Sequence, residues 1–409
     1  MLTMLQNLLQ GWQLLAVELC TFAKSSPELP TSLLTVVESC LKENIATGLP
    51  APIFSQIIID RSEFAFIIVE KLSNAVPTID LSSVFAVAWK GINSSITDFR
   101  AALANADMLY YRSLLRIIYL CLRSFHARPA ADNSTKFTFT LLDLLDLLIC
   151  KGFKDIAQAA HSHPDKTNPD DLSLLIAILQ STLRLKSIDE IHPGLHSHLA
   201  EQQTVRAATT LFSWSENLPG GLEDPVYPEL ALKFLLALST VECIAEHLAI
   251  ENTLASILSS TLAQRLHAGN ITPFSAPRLH SLWARGLLPL ALNLLATIGA
   301  RVGREVVGFL LFFKPQLDTA IEGWRKPTVV TVAAVEEAVG IALVLGVLEK
   351  LGGRGELGVD TGVMEEGVAY LLGHRNYLKS LCVEGDEEAR RIEESLGVVQ
   401  SLLGGEEEE

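Results

Sequence analysis

The chain has 409 residues, 49% hydrophobic and 19% charged, with a net charge of −15. This apolar content excludes a disordered or linker-like chain, and the acidic balance excludes nucleic-acid binding through clustered Lys and Arg. The longest apolar runs, 286–300 and 339–348, are closed by charges such as Arg301 and Arg304 or Glu349 and Lys350. Both fall short of the roughly 18–20 residues that cross a bilayer, so the chain is expected to be soluble with no direct membrane span.

The opening stretch, MLTMLQNLLQGWQLLAVELC, lacks the basic leader and small-residue cleavage site of a signal peptide, and its uncapped start suggests a piece of a longer chain. Its Leu5, Leu8, Leu9, Trp12, Leu15, Ala16 and Leu19 recur at helical spacing. SSPELPTS then breaks the pattern, and Thr31 or Ser32 is placed to cap a second helix carrying Leu34, Val37, Cys40 and Leu41. GLPAPIF is a further break, with a proline suited to a first helical turn. DMLYYRSLLRIIYLCLRSF sets Tyr110, Tyr111, Tyr119 and Phe125 beside Arg112, Arg116 and Arg123, a composition shared by buried helices and by interface hot spots. KFTFT (136–140) is the one strand-like alternation, too brief to found a sheet. Asp143 and Asp146 in LLDLLDLLICKGF share a helical face and mark its solvent side. NPDDLSLL offers Asn168 as a cap, Pro169 in the first turn, and Asp170 and Asp171 opposite the helix dipole.

Five histidines near the middle raise the question of a metal. His161 and His163 lie in HSHPDKTNPDD, which reads as a polar loop. In IHPGLHSHLAEQ, Pro193 and Gly194 place His192 ahead of a helix, while His196 and His198 point about 200° apart. Only His198 shares a face with Glu201, so a metal-dependent enzyme built on His192, His196, His198 and Glu201 is disfavoured. GGRGELG holds a literal GxGxxG at Gly353, Gly355 and Gly358, but a helix precedes it where the dinucleotide fingerprint needs a strand. The six cysteines, Cys20, Cys40, Cys121, Cys150, Cys243 and Cys382, form no CxxC pair and read as buried thiols in a reducing compartment. No catalytic residues, metal or cofactor are expected.

The pattern amounts to about sixteen helical segments pairing at roughly 40–50 residues. The fold expected is all-α: a right-handed superhelical α-solenoid of HEAT/armadillo-like helix pairs forming one continuous domain over 1–409. Residues 385–404 would be a terminal capping helix, with Ile392, Leu396, Val399 and Leu403 in one stripe, and 405–409 an acidic disordered tail. Residues 384–409 alone carry −8 of the charge.

The stretches LYYRSLLRIIYLCLRSF and SAPRLHSLWARGLLPLALNLLATIGARVGREVVGFLLFFKPQL, in a long acidic helical stack with a charged last helix, resemble the C-terminal part of the large inner-ring scaffold nucleoporins of the nuclear pore complex, of the fungal nucleoporin 188 type. The resemblance implies a non-enzymatic scaffold at the nuclear envelope that holds helical linker segments of other nucleoporins, the inner-ring adaptors, and that can receive Phe-Gly repeats. The chain has sixteen phenylalanines and no Phe-Gly dipeptide, so it would be a receiver of such repeats. The alternative is a karyopherin-like soluble nuclear transport receptor. Aromatic clustering points to Phe309, Phe312, Phe313, Trp324, Tyr370 and Tyr377 as the lining of a partner groove.

Overall fold

The computed structural model describes residues 2–26, 28–47, 52–95, 99, 102, 108–126, 135–186, 188–325, 332–352 and 354–358, with 366, 369, 370, 373, 390, 393, 394 and 396–398 beyond them. Every regular element among these is helical. The chain divides into two compact units, Met1–Thr204 and Val205–Glu409.

The first unit opens with α1 (Leu2–Thr21), α2 (Glu28–Thr47), α3 (Pro52–Ala75) and α4 (Ser82–Ser95). It continues with α5 (Met108–His126), α6 (Thr135–Leu145), a π-helical turn (Asp146–Phe153), α7 (Lys154–Ser162), α8 (Pro169–Leu183) and α9 (His192–Gln202). Packing steps along the chain: α1 and α2 lie on α3, α2 also meets α4, and α3 and α4 both meet α5, which in turn meets α8. Such nearest-neighbour packing is the mark of a stacked helical repeat. α5 is the spine of this unit. Leu114, Leu115, Ile117, Ile118, Cys121 and Leu122 are all buried, because the helix has neighbours on several sides. Each such leucine or isoleucine stabilises the fold by about 1.5–3 kcal/mol relative to exposure.

Several local expectations are corrected here. α2 begins at Glu28, three residues before Thr31, because Pro30 fits a first turn and Glu28 complements the helix dipole; Ser32 lies inside the helix and bonds back to the Glu28 carbonyl at 3.1 Å. KFTFT is helical, since Phe137 turns inward to make edge contacts with Phe85 and Phe125 at 5.9 and 5.6 Å. His161 sits in the last turn of α7, half-buried, and His192 is the first residue of α9, carried into it by a 3-10 turn at Asp189–Ile191. Asn168 caps α8 as the sequence suggests, its side chain accepting from the Asp170 N–H at 2.9 Å.

The second unit contains α10 (Thr204–Ser213, whose first residue closes the preceding unit), α11 (Val226–Leu238), α12 (Glu242–Ile250), α13 (Thr253–Leu258) and α14 (Thr261–His267). A second row follows: α15 (Pro277–Leu282), a π-helical turn (Trp283–Leu287), α16 (Leu288–Ile298), α17 (Gly303–Phe312), α18 (Lys314–Arg325) and α19 (Val332–Lys350). The rows are in register. α11 and α12 face α16, α13 faces α17, and α14 faces α18, while α19 backs α16.

The helical run Pro277–Phe312, 36 residues long, has a window of mean hydropathy 1.4, so by length and composition it could cross a membrane, contrary to the count made on 286–300 alone. The structure joins segments that charges separate in the sequence. Half of that window is buried inside the protein, and the run is interrupted at Gly299, whose φ of 65° lies in the left-handed region that favours glycine.

The expected terminal helix 385–404 is described only at Arg390, Glu393, Glu394, Leu396, Gly397 and Val398, with Leu396 buried, and the tail 405–409 lies outside the described residues.

Candidate functional site

The aromatic cluster forms where α17 meets α18 in the second unit. Phe309 and Phe313 stand four residues apart and so share one side of the chain, turned inward; both are fully buried. Phe313 contacts Phe309 edge-on at 5.0 Å and tilts against Trp283 at 5.3 Å. Phe312 contacts Phe313 edge-on at 5.0 Å and is only half-buried, because its outer side rests on the half-buried ring of His267 at 4.5 Å. The His267 Nδ1–H donates to the Phe312 carbonyl, tying α14 to the end of α17. Leu311 beside it is exposed. Lys314 closes the corner by donating to the Leu357 and Gly358 carbonyls at 3.1 and 3.2 Å. Glu305, one helix length away on α17, has its Oε1 buried without a hydrogen bond, and burial pushes its carboxyl above the ordinary range.

Of the six residues marked by aromatic clustering, then, the structure brings Phe309, Phe312 and Phe313 together, but the first and last are core and only Phe312 reaches the surface. Tyr370 is half-buried; the side chain of Trp324 and all of Tyr377 lie outside the described residues.

Behind this corner lies a buried polar network that the sequence reading missed. Glu337 on α19 accepts from Trp283 Nε1–H at 2.8 Å and from His280 Nε2–H at 3.0 Å. Gln316 donates to the Ile271 carbonyl at 2.7 Å and accepts from the Ile271 N–H at 3.1 Å, with its amide 3.5 Å from Glu337. All four side chains are almost completely buried. One signal existed. Val335, Ala338, Ile341 and Ala342 set the apolar face of α19, and Glu337 falls on it, where a carboxylate needs donors.

In the first unit the arginines of α5 are likewise engaged internally. Arg112 forks onto Asp171 of α8 at 2.6 and 2.8 Å, Arg116 lies over the Phe66 ring at 5.5 Å, and Arg123 donates to Asn74 at 3.1 Å. Burial of Tyr110 pushes its phenol up to about 12. Asp143 is exposed, whereas Asp146 meets Lys151 at 2.6 Å and stands 3.5 Å from His198, so the two aspartates do not converge as acid and base. Among the described residues no three His, Cys, Asp or Glu side chains are placed to hold a metal ion, His192, His196, His198 and Glu201 included. α19 leads into the GxGxxG stretch as a helix, Gly355 lies in a 3-10 turn and Gly353 is outside the described residues.

Two rows of helices, linked by buried side chains and built around packing, define an all-helical stack of the α-solenoid class. Residues 84–397 match the family described as "Nuclear pore protein NUP188 C-terminal domain". The chain belongs to this family. It is 30% identical over 362 residues to "Nucleoporin NUP188" of Chaetomium thermophilum, a match covering 79% of this chain and 19% of that protein. It is 25% identical over 351 residues to "Nucleoporin nup184" of Schizosaccharomyces pombe, covering 84% and 22%. The chain therefore spans about a fifth of the curated relatives it matches. Among solved structures it resembles "Nup188(aa1445-1827) from Myceliophthora thermophila" at 27% identity and a TM-score of 0.67, covering 80% of this chain and 98% of that one.

Proposed function

We propose that this chain is a non-enzymatic scaffold segment of the nuclear pore complex inner ring, at the nuclear envelope, which holds short helical linker segments of other nucleoporins. Family membership over residues 84–397 is the observation that carries the reading, and it favours a scaffold over a karyopherin-like soluble transport receptor. The aromatic corner supports a binding role: Phe312 offers a half-open ring beside His267 and the exposed Leu311, on a floor made rigid by Phe309, Phe313 and Trp283. An amphipathic helix could lay one aromatic or leucine there, and so could the phenylalanine of a Phe-Gly repeat. Co-elution with a synthetic linker helix of an inner-ring adaptor nucleoporin, with light scattering for mass, tests the reading. A one-to-one complex weakened by Phe312→Ala at unchanged helicity is the expected result. Separate elution at high micromolar concentration would overturn linker binding by this segment, and the same assay with a Phe-Gly peptide decides the second ligand.

A further inference from the structure

The outward side of α17 combines features that nothing inside the chain accounts for. Arg304, Gly308 and Leu311 follow at steps of four and three and are all exposed, so they lie along one strip of the helix. Arg304 and Leu311 point within about 20° of one direction and stand about 10 Å apart along the axis. Leu311 is 42% exposed and adjoins the half-buried Phe312. Gly308 sits inside the helix, where glycine costs about 1 kcal/mol relative to alanine, yet a Cβ added there would meet nothing within 4 Å. The chain's own packing gives no reason for that glycine, whereas an open stretch of helix backbone lets a second backbone come close.

The charge on the strip is equally unexplained. The chain holds 47 acidic and 32 basic residues, and neighbouring arginines find carboxylates in the second unit: Arg285 meets Glu336, and Arg301 meets Glu246. Arg304 has no hydrogen-bond or ion-pair partner among the described residues. Glu305 beside it does not serve, since its Oε1 is buried without a hydrogen bond.

We propose that this strip seats an acidic amphipathic helix. The partner segment rests an apolar side chain on Leu311 and Phe312, crosses over Gly308, and brings an Asp or Glu about two turns from that anchor to the guanidinium of Arg304. The inference rests on the linker-binding reading above and names the chemistry of the segment that fits it. Each part of the partner is set by a different feature: the anchor by the apolar end, the closeness by Gly308, and the sign by an arginine left unpaired in an acidic protein. A guanidinium forks onto a carboxylate with two parallel bonds, so the pair also fixes the register of the bound helix. A partner cation at that place would meet like charge and be rejected. The strip thus selects against the basic segments that a net charge of −15 attracts at long range.

Fluorescence anisotropy with a labelled model helix of about 18 residues tests the proposal. It carries one phenylalanine anchor, with a glutamate about two turns before it and another about two turns after, so that either direction along α17 is served. Arg304→Glu is expected to weaken binding roughly tenfold at low salt, and a helix with arginines in place of both glutamates is expected to bind this variant more tightly than the parent chain. Gly308→Leu is expected to abolish binding of both helices with helicity and Tm at or above those of the parent, because the new side chain enters open space. Binding indifferent to either substitution overturns the proposal, and so does a parent chain that binds neither helix. The adaptor linker is run on the same proteins. A linker weakened by Phe312→Ala but indifferent to Arg304→Glu removes the acidic seat and leaves linker binding standing. A model helix that shows the charge swap while the linker elutes separately removes the linker reading and keeps the seat.

Discussion

Glu337 is the residue whose removal tests most directly how the second unit is held together. Glu337→Leu fits an apolar face already set by Val335, Ala338 and Ile341, so it should cost little in packing. It does, however, leave the Trp283 Nε1–H and the His280 ring without their acceptor in a site closed to water. Each buried donor left unpaired costs about 1–3 kcal/mol. Part is recovered because a carboxylate no longer has to be desolvated, so a net loss of about 2–4 kcal/mol is expected. Glu337→Gln keeps one carbonyl oxygen for Trp283 and should cost about 1–2 kcal/mol. Hydrogen exchange read on peptides spanning 277–298 measures the loss in this unit without assuming that both units unfold together. A Leu variant within about 0.5 kcal/mol of the parent, the range of an innocuous surface change, would refute the reasoning: the network would then be a tolerated polar inclusion that apolar packing replaces at no cost.

Arg112→Met leaves Asp171, 1% exposed, as a buried carboxylate without its fork, and should destabilise the first unit by about 3–5 kcal/mol in urea unfolding; Arg112→Lys should recover only part, because an ammonium cannot reproduce two parallel bonds. Phe313→Ala should cost about 3–5 kcal/mol, whereas half-buried Phe312→Ala should cost about 1–2 kcal/mol, an ordering that thermal unfolding monitored by circular dichroism checks. Burial holds His161 and His192 below the ordinary histidine range, so folding favours their neutral forms. The stability this gives is present above the unfolded-state pKa and is lost as pH falls through the lower folded-state value. Acidification from about pH 7 to about pH 5 should therefore weaken the first unit, and His161→Phe should flatten that dependence, as read from urea midpoints across pH.

The helical character and the repeat spacing were legible because they are written in local terms. Apolar residues at three- and four-residue steps announce each helix, and the pairing distance of roughly 40–50 residues is met by two of the contacts between helices and exceeded by two. His267 to Phe312 and Ile271 to Gln316 are 45 residues apart, Trp283 to Glu337 is 54, and Arg112 to Asp171 is 59. Which aromatics face out was not legible. Phe312 and Phe313 both lie at helical spacing from Phe309, and only the arrival of Trp283 and His267 from distant segments divides core from surface. For the same reason the place of Glu337 in the core was not legible: its donors lie more than fifty residues earlier in the chain. KFTFT shows the opposite error, a local strand pattern overruled by two aromatic neighbours.

The π-helical turns at Asp146–Phe153 and Trp283–Leu287 each interrupt a helical run that is α-helical on both sides. A wider turn accommodates one residue more than the α-helix would, and one residue is about 100° of helical rotation. The stretch before each turn and the stretch after it therefore present different flanks. In the second unit, Leu279 and Leu282 are buried upstream, and Leu290, Ala291, Leu294 and Leu295 downstream. Each turn works as a phase shifter between two packing patterns that a straight helix could not satisfy together. Excising a single residue there would restore ideal backbone geometry and swing the downstream leucines out of the core, so at these two places a more regular helix makes a worse protein.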